Sequence, residues 1–158
     1  MARAFTVPGK PVPQGSMKAF AGRGAAAGKA FTTSSNAGPL AKYRADIQNR
    51  YGHDYGMETP YSGPIELYVS FYFKRPASHY NSAGELKGTK YSAPAARWVT
   101  KKPDLDKLLR AVGDALTHYA FVDDSQVVSI NATMQWASHD GTHIRIFELE
   151  DSPVLANG

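Results

Sequence analysis

At 158 residues the chain is long enough for one domain with a real core, and its 42% apolar content excludes an intrinsically disordered protein. The absence of cysteine excludes disulfides and thiolate zinc sites and leaves any metal to oxygen or nitrogen ligands. No apolar run approaches the roughly 20 residues of a membrane span and no secretory pattern opens the chain, so the expectation is a soluble, cytoplasmic protein with no membrane partner. The net charge of +4 is modest but unevenly spread: residues 74–102 carry seven Lys/Arg against one acid, and residues 103–158 carry three against nine. Such a separation fits a protein that grips a polyanion with one segment and metal ions with another.

Phe5-Thr6-Val7 alternates and stops at Pro8-Gly9, which predicts a short first strand. Residues 9–38 are rich in Gly, Ala, Pro and Ser and predict a long flexible loop, mobile around Gly22 to Gly28. From Pro39 to about Tyr51, the spacing of Leu40, Tyr43, Ile47 and Tyr51 predicts an amphipathic helix. Ile65, Leu67, Val69, Phe71 and Phe73 recur with period two and predict a strand with one buried face. Residues 74–102 show no periodicity and mix Lys74, Arg75, Lys87, Lys90, Arg97, Lys101 and Lys102 with His79, Tyr80, Tyr91 and Trp98. A loop of that length is functional or disordered, and its cations and rings suit phosphates and unpaired bases. The alternative is a solvated loop whose aromatics pack on the body.

A second helix is expected over about Asp104 to His118, with Leu105, Leu108, Leu109, Val112, Ala115 and Leu116 as its apolar stripe. A strand over Gln126 to Gln135 should follow, with Val128, Ile130, Ala132, Met134 and Trp136 on one face. Asp140-Gly141 is a turn signal, and Thr142 to Glu150 reads as the return strand of an antiparallel hairpin. The order β, α, β, α, β, β gives an α+β class: a mixed, partly antiparallel sheet of about four strands with two main helices, in a single domain over 1–158. Segments 9–38 and 78–100 are its expected flexible loops.

Acids cluster at the second helix and after it. Asp104 and Asp106 stand at the helix entrance, and Asp123-Asp124 precede the next strand. If that strand starts beside the helix N-terminus, Asp104, Asp106 and Asp124 converge. Like charges held close disfavour ionisation, and a hard cation such as Mg²⁺ relieves this with oxygen ligands. A carboxylate-bound metal beside a cationic surface points to phosphodiester hydrolysis in nucleic acid. Each acid has a bland reading too: Asp104 as an N-cap, Asp106 as a dipole-favoured surface acid, Asp123 and Asp124 as turn residues; adjacent in an extended turn, the last two are expected to point opposite ways, so that one of them ligates in preference to the other. Asp114, two turns beyond Asp106, is assigned a structural or supporting role. Arg110, four residues after Asp106, either pairs with that acid or binds the scissile phosphate. No histidine pair has a zinc-binding spacing, and His118 is assigned to a helix end.

The text Lys102-Pro103-Asp104-Leu105-Asp106-Lys107-Leu108-Leu109-Arg110, then Asp114-Ala115-Leu116, then Asp123-Asp124-Ser125-Gln126-Val127-Val128 resembles the RusA family of Holliday junction resolvases, often carried by phages and prophages. The opening from Phe5 to Pro13 and the aromatic strand ending near Arg75-Pro76 are similar to that family as well. The resemblance implies a Mg²⁺-dependent endonuclease, with Mn²⁺ as an alternative ion, acting as a homodimer on branched, four-way DNA during recombination and repair. It matches Asp104, Asp106 and Asp124 to the family's catalytic, metal-binding acids. Arg110 falls where the family can carry a functional lysine; guanidinium keeps the charge but does not readily give up a proton. Lys107 stands where some members have Asn. Lys87, Lys90, Arg97, Lys101, Lys102 and Lys107 are the expected DNA contacts. Symmetric cuts in a two-fold junction independently call for two sites in a C2 dimer. The rival readings are a nuclease for other branched or single-stranded DNA and a non-catalytic DNA-binding protein.

Overall fold

The computed structural model describes residues 2–15, 17–21, 30–34 and 37–149. Four strands form a mixed sheet: β1 (Ala2–Pro8), β4 (Ile65–Lys74), β5 (Val127–Ala137) and β6 (Gly141–Glu148), in the order β1-β6-β4-β5. The pairs β1–β6 and β6–β4 are antiparallel, and β4–β5 is parallel. Two long helices, α1 (Ala37–Tyr55) and α3 (Leu105–Leu116), supply the α component expected of the α+β class.

The alternating strand built around Ile65 to Phe73 occupies the centre. Ile65, Leu67, Val69, Phe71 and Phe73 are all buried, each contributing roughly 1.5–3 kcal/mol relative to an exposed position. In register beside them lie Ile144 and Ile146 of β6, and beyond those Phe5 and Val7 of β1. Leu40, Tyr43, Ile47 and Tyr51 of α1 close over this face, together with Leu108, Ala111, Val112, Ala115 and Leu116 of α3. The opposite face is more polar, with Arg145 lying over the Tyr68 ring and Ser129 donating to Glu66. One packed face and one solvated face are what alternation in a partly antiparallel sheet implies.

Three sequence expectations change. The C-terminal strands do reverse at Asp140-Gly141, but they are not hairpin neighbours, because β4 lies between them. Asp140 marks the crossing: its carboxylate accepts from the Lys74 backbone N–H at 2.7 Å, at the end of the intervening strand. The segment 9–38, expected to be loop, contains β2 (Met17–Ala21) and β3 (Ala30–Ser34), paired antiparallel. The mobility expected around Gly22 to Gly28 falls outside the described residues. Finally, Val128 and Ile130 are 62% and 50% exposed. Val128 sits at a register shift against β4, and β5 is an edge strand, so alternation alone does not cover them.

The other edge is blunted. The Tyr55 hydroxyl accepts from the Ala4 N–H at 2.9 Å and donates to the Ala4 carbonyl at 3.0 Å, occupying groups that could otherwise recruit another strand. Gly9, at φ 107°, lets the chain turn away after β1. Segment 75–104 is organised by short turns: Ala77–His79, α2 (Gly88–Ser92) and Pro94–Arg97. The Arg75 guanidinium donates to the carbonyls of Tyr91 and Ala96, and Val99 donates to Met134 of β5. The segment is thereby fastened along the outer strand.

Among the described residues a buried polar pair ties the core together. Thr142 and the Tyr43 hydroxyl are 2.6 Å apart and tie α1 to β6; burial pushes the phenol well above its ordinary range. Tyr43→Phe or Thr142→Val should each cost about 1–3 kcal/mol by stranding the remaining hydroxyl, whereas the double variant should cost less than the sum. Urea unfolding of the four proteins checks this; strictly additive losses would contradict it.

Candidate active site

Helix α3 carries two stripes. Leu108, Ala111, Val112, Ala115 and Leu116 are buried. Asp106, Leu109, Arg110, Gly113 and Asp114, at the i, i+3, i+4, i+7, i+8 spacing, line a hollow of about 370 Å³ beside β5. Gly113 offers no side chain there, and a Cβ at that position would meet open space. Val127 and Ile130 of β5 form the apolar wall, and Asp124 closes the end.

At the helix entrance Asp104 occupies the N-cap position, and its carbonyl accepts from Leu108 at 3.2 Å. Its carboxylate makes no capping bond. Lys102 Nζ donates to it at 2.7 Å instead, and this bond, reinforced by the charges of Lys102 and Lys107, holds Asp104 below the usual carboxylate range. The bland reading of Asp104 as a side-chain cap is therefore not what the structure shows. Nor do Asp106 and Arg110 pair: both are exposed, and among the described residues neither makes an ion pair.

The chain turns back after α3 through His118, a non-glycine residue at φ 73° in the left-handed region that commonly ends helices. It then reaches a short turn, Asp124–Gln126. Asp123 caps this turn by accepting from the Ser125 N–H at 2.9 Å. Gln126 uses its whole amide: Oε1 accepts from the Asp123 N–H, and Nε2 donates to the carbonyls of Tyr61 and Gly63. Asp123 thus has the turn role that sequence reasoning held open for it, and Asp124 faces the hollow. Hydrogen bonding with Asp123, then its charge, raises Asp124 above the usual carboxylate range, and Asp114 adds to this more weakly. Asp123 is lowered chiefly by the Ser125 backbone N–H. Asp114, assigned only a supporting role from its distance along the helix, lines the same hollow as Asp124 because the chain returns beside the last turns of α3.

The sequence expectation had Asp104, Asp106 and Asp124 converge on one ion or an adjacent pair. In the structure they divide between two adjoining hollows: Asp106 and Asp124 line the first, Asp104 and Asp106 the second. Asp106 belongs to both. Among the described residues no three acidic or histidine side chains are grouped as a metal site.

The second hollow leads toward the cations. Lys101 and Lys102 line it, and they also line a third, of about 410 Å³, with Lys10, Lys74, Arg75 and Trp136. Lys101 continues into a fourth with Lys90, Tyr91 and Trp98. Of the expected DNA contacts, Lys90, Lys101 and Lys102 are brought together around this cleft. Arg97 lies over the Trp98 ring at 4.4 Å, and Lys87 is close enough to influence His79. Lys107 stays on the first turn of α3, its carbonyl accepting from Gln14. Lys74 was named among the cations of the 74–102 segment, but Lys10 and Trp136 were not singled out for the site. Their one sequence signal was charge near aromatic residues, and their meeting depends on the long segment folding along β5.

Two outcomes follow from this geometry. Gln126→Leu should lower stability by about 2–3 kcal/mol, since it removes three hydrogen bonds that fix the turn; thermal unfolding measures it, and an unchanged melting temperature would contradict the assigned anchor. For Asp124 the sign is opposite. The folded state holds its proton more tightly than the unfolded chain, so its contribution to stability falls as pH rises through the folded pKa. In chelator, Asp124→Asn should be at least as stable as the parent at pH 7, and this advantage should disappear below about pH 3. A variant clearly less stable at pH 7 would contradict the repulsion.

A family profile described as "Endodeoxyribonuclease RusA" matches residues 8–147, a span containing both the acidic hollow and the basic cleft. The chain is also similar to "Uncharacterized protein YqaN" of Bacillus subtilis (strain 168), 30% identical over 145 residues that cover 92% of this chain and 95% of that protein. No described helix is long and apolar enough to cross a membrane. The groove of acids along α3, its junction with a cationic cleft, and a family match over most of the chain lead to one conclusion: the protein belongs to the RusA family of endodeoxyribonucleases, the Holliday junction resolvases.

Proposed function

We propose that this chain is a Mg²⁺-dependent, structure-selective endonuclease that acts as a homodimer on four-way DNA junctions and introduces paired symmetric nicks during recombination and repair. The observation that carries the reading is the continuity of the acidic hollow with the cationic cleft, through Asp106 on one side and Lys101 and Lys102 on the other. A pure DNA-binding protein gains nothing from acids beside a phosphate track, because like charges there oppose binding unless a cation intervenes.

The donor set fits a hard cation. All its atoms are carboxylate oxygens, and Mg²⁺ needs only one or two protein carboxylates because it keeps several waters. Asp106 and Asp124 would hold it, with Asp104 adjacent, and the repulsion raising Asp124 favours a positive charge at that place. When bound, the ion would supply an activated water and neutralise charge on the phosphoryl oxygens; Mn²⁺ would serve similarly. Arg110, without an acidic partner among the described residues, would bind a phosphate oxygen through its planar fork, stabilising charge rather than transferring a proton. Lys101, Lys102 and Lys90, with Lys87, Arg97 and Lys107 around them, would neutralise flanking phosphates. Binding would then be strongly salt-dependent and would read shape more than sequence. A bacterial or phage-infected cytoplasm is the compartment in which such a substrate arises.

A synthetic mobile four-way junction tests the proposal. Asp106→Asn should lower Mg²⁺-dependent nicking by about 100-fold or more while junction binding is kept or strengthened, since a repulsive charge near phosphate is removed. Nicking at the parental rate would eliminate the role of Asp106. Equal cutting of four-way, Y-shaped and linear duplex DNA would eliminate the junction preference.

A further inference from the structure

The cationic cleft is not uniform. Its part at the end of β4 carries more cations, Lys10, Lys74, Arg75, Lys101 and Lys102, and one aromatic indole, Trp136. The adjoining hollow is different in kind. It measures about 380 Å³, within the roughly 300–1,000 Å³ typical of small-ligand pockets, and its walls are rings: His79, Tyr91, Trp98 and Trp136, with Lys90 and Lys101 also lining it.

Those rings are held in place. His79 stacks on Tyr91 with centroids 4.2 Å apart and meets Trp136 edge-on at 5.3 Å. The Trp98 backbone pairs with Gln135 of β5, next to Trp136. Yet Trp98 itself remains 36% exposed, and among the described residues its ring meets no other aromatic ring, only the Arg97 guanidinium. Trp98 thus lines the hollow with a partly exposed indole that already carries a cation, a combination suited to stacking a further planar group.

We propose that the hollow between Trp98 and Trp136 takes up an unpaired nucleobase, so that the protein holds DNA by a base as well as by its phosphates. Aromatic walls suit the π-face that every base presents, which makes such a pocket tolerant of sequence. Lys90 and Lys101 stand where the flanking phosphates of an extruded nucleotide would pass. A bare phosphate would find more cations in the neighbouring hollow. The inference rests on the DNA-cleaving reading only in taking DNA as the ligand.

The test compares a single-stranded oligothymidine with an abasic oligonucleotide of equal length, at one salt concentration and in chelator so that nothing is cut. The intact protein should bind oligothymidine about tenfold more tightly. Trp98→Ala should remove most of that preference while leaving affinity for the abasic strand nearly unchanged, which also shows that the variant is folded. Equal affinity of the parent for both strands, or an equal loss on both in Trp98→Ala, would overturn the pocket. Nicking is read separately: base preference without Mg²⁺-dependent nicking would sink the nuclease reading and leave the pocket standing, and nicking without base preference would do the reverse.

Discussion

Everything at the candidate site depends on how α3 divides its surface. Leu108, Ala111, Val112, Ala115 and Leu116 are locked into the core, so the helix cannot rotate without exposing apolar area worth several kcal/mol. That constraint fixes the stripe beside it, and Asp106, Arg110 and Asp114 are presented along a groove rather than scattered in solvent. The second constraint is the return of the chain: Asp123 caps the turn after α3, Gln126 ties that turn to the segment before β4, and Asp124 is carried to the same groove. Asp106, Asp114 and Asp124 come to line one groove because apolar packing fixes the elements that carry them, while the raised affinity of Asp124 for a proton comes chiefly from its neighbour Asp123 and only weakly from Asp114.

The parallel pairing of β4 with β5 arranges the rest. The two strands finish at the same end, where Lys74 and Trp136 stand in one hollow and the segment after β4 folds back along the outer strand. Charge is therefore graded along β5, from carboxylates near its start to cations and rings near its end. A nucleic-acid backbone lying along this direction would pass from a gripping surface to a hydrolytic one, and Lys101, Lys102 and Asp106 mark the changeover.

Much of this was legible in the residues because some signals are strong and local. Period-two burial over Ile65 to Phe73, the helical spacing of Leu40, Tyr43, Ile47 and Tyr51, and the amphipathic α3 all reappear as expected. What failed was partnership over distance. Asp140-Gly141 does signal reversal, but a turn signal cannot say that β4 will insert between the strands it separates. Val128 and Ile130 alternate like core residues, yet an edge position beside a groove leaves them open. The β2–β3 pair lies in a stretch rich in Gly and Ala, where no periodic stripe stands out. At the site, the motif acids were visible; that Asp114 would share a hollow with Asp124, and that Asp104 would be engaged by Lys102, required the folded chain.

The most direct test of the central claim, that the groove's carboxylates act together on a hard cation, is calorimetric titration of the DNA-free protein with Mn²⁺ or Mg²⁺. The account expects saturable binding by the parent that is lost in both Asp106→Asn and Asp124→Asn, although these residues belong to different elements. Undiminished binding in either variant, or no binding by the parent at millimolar ion concentrations, would contradict it.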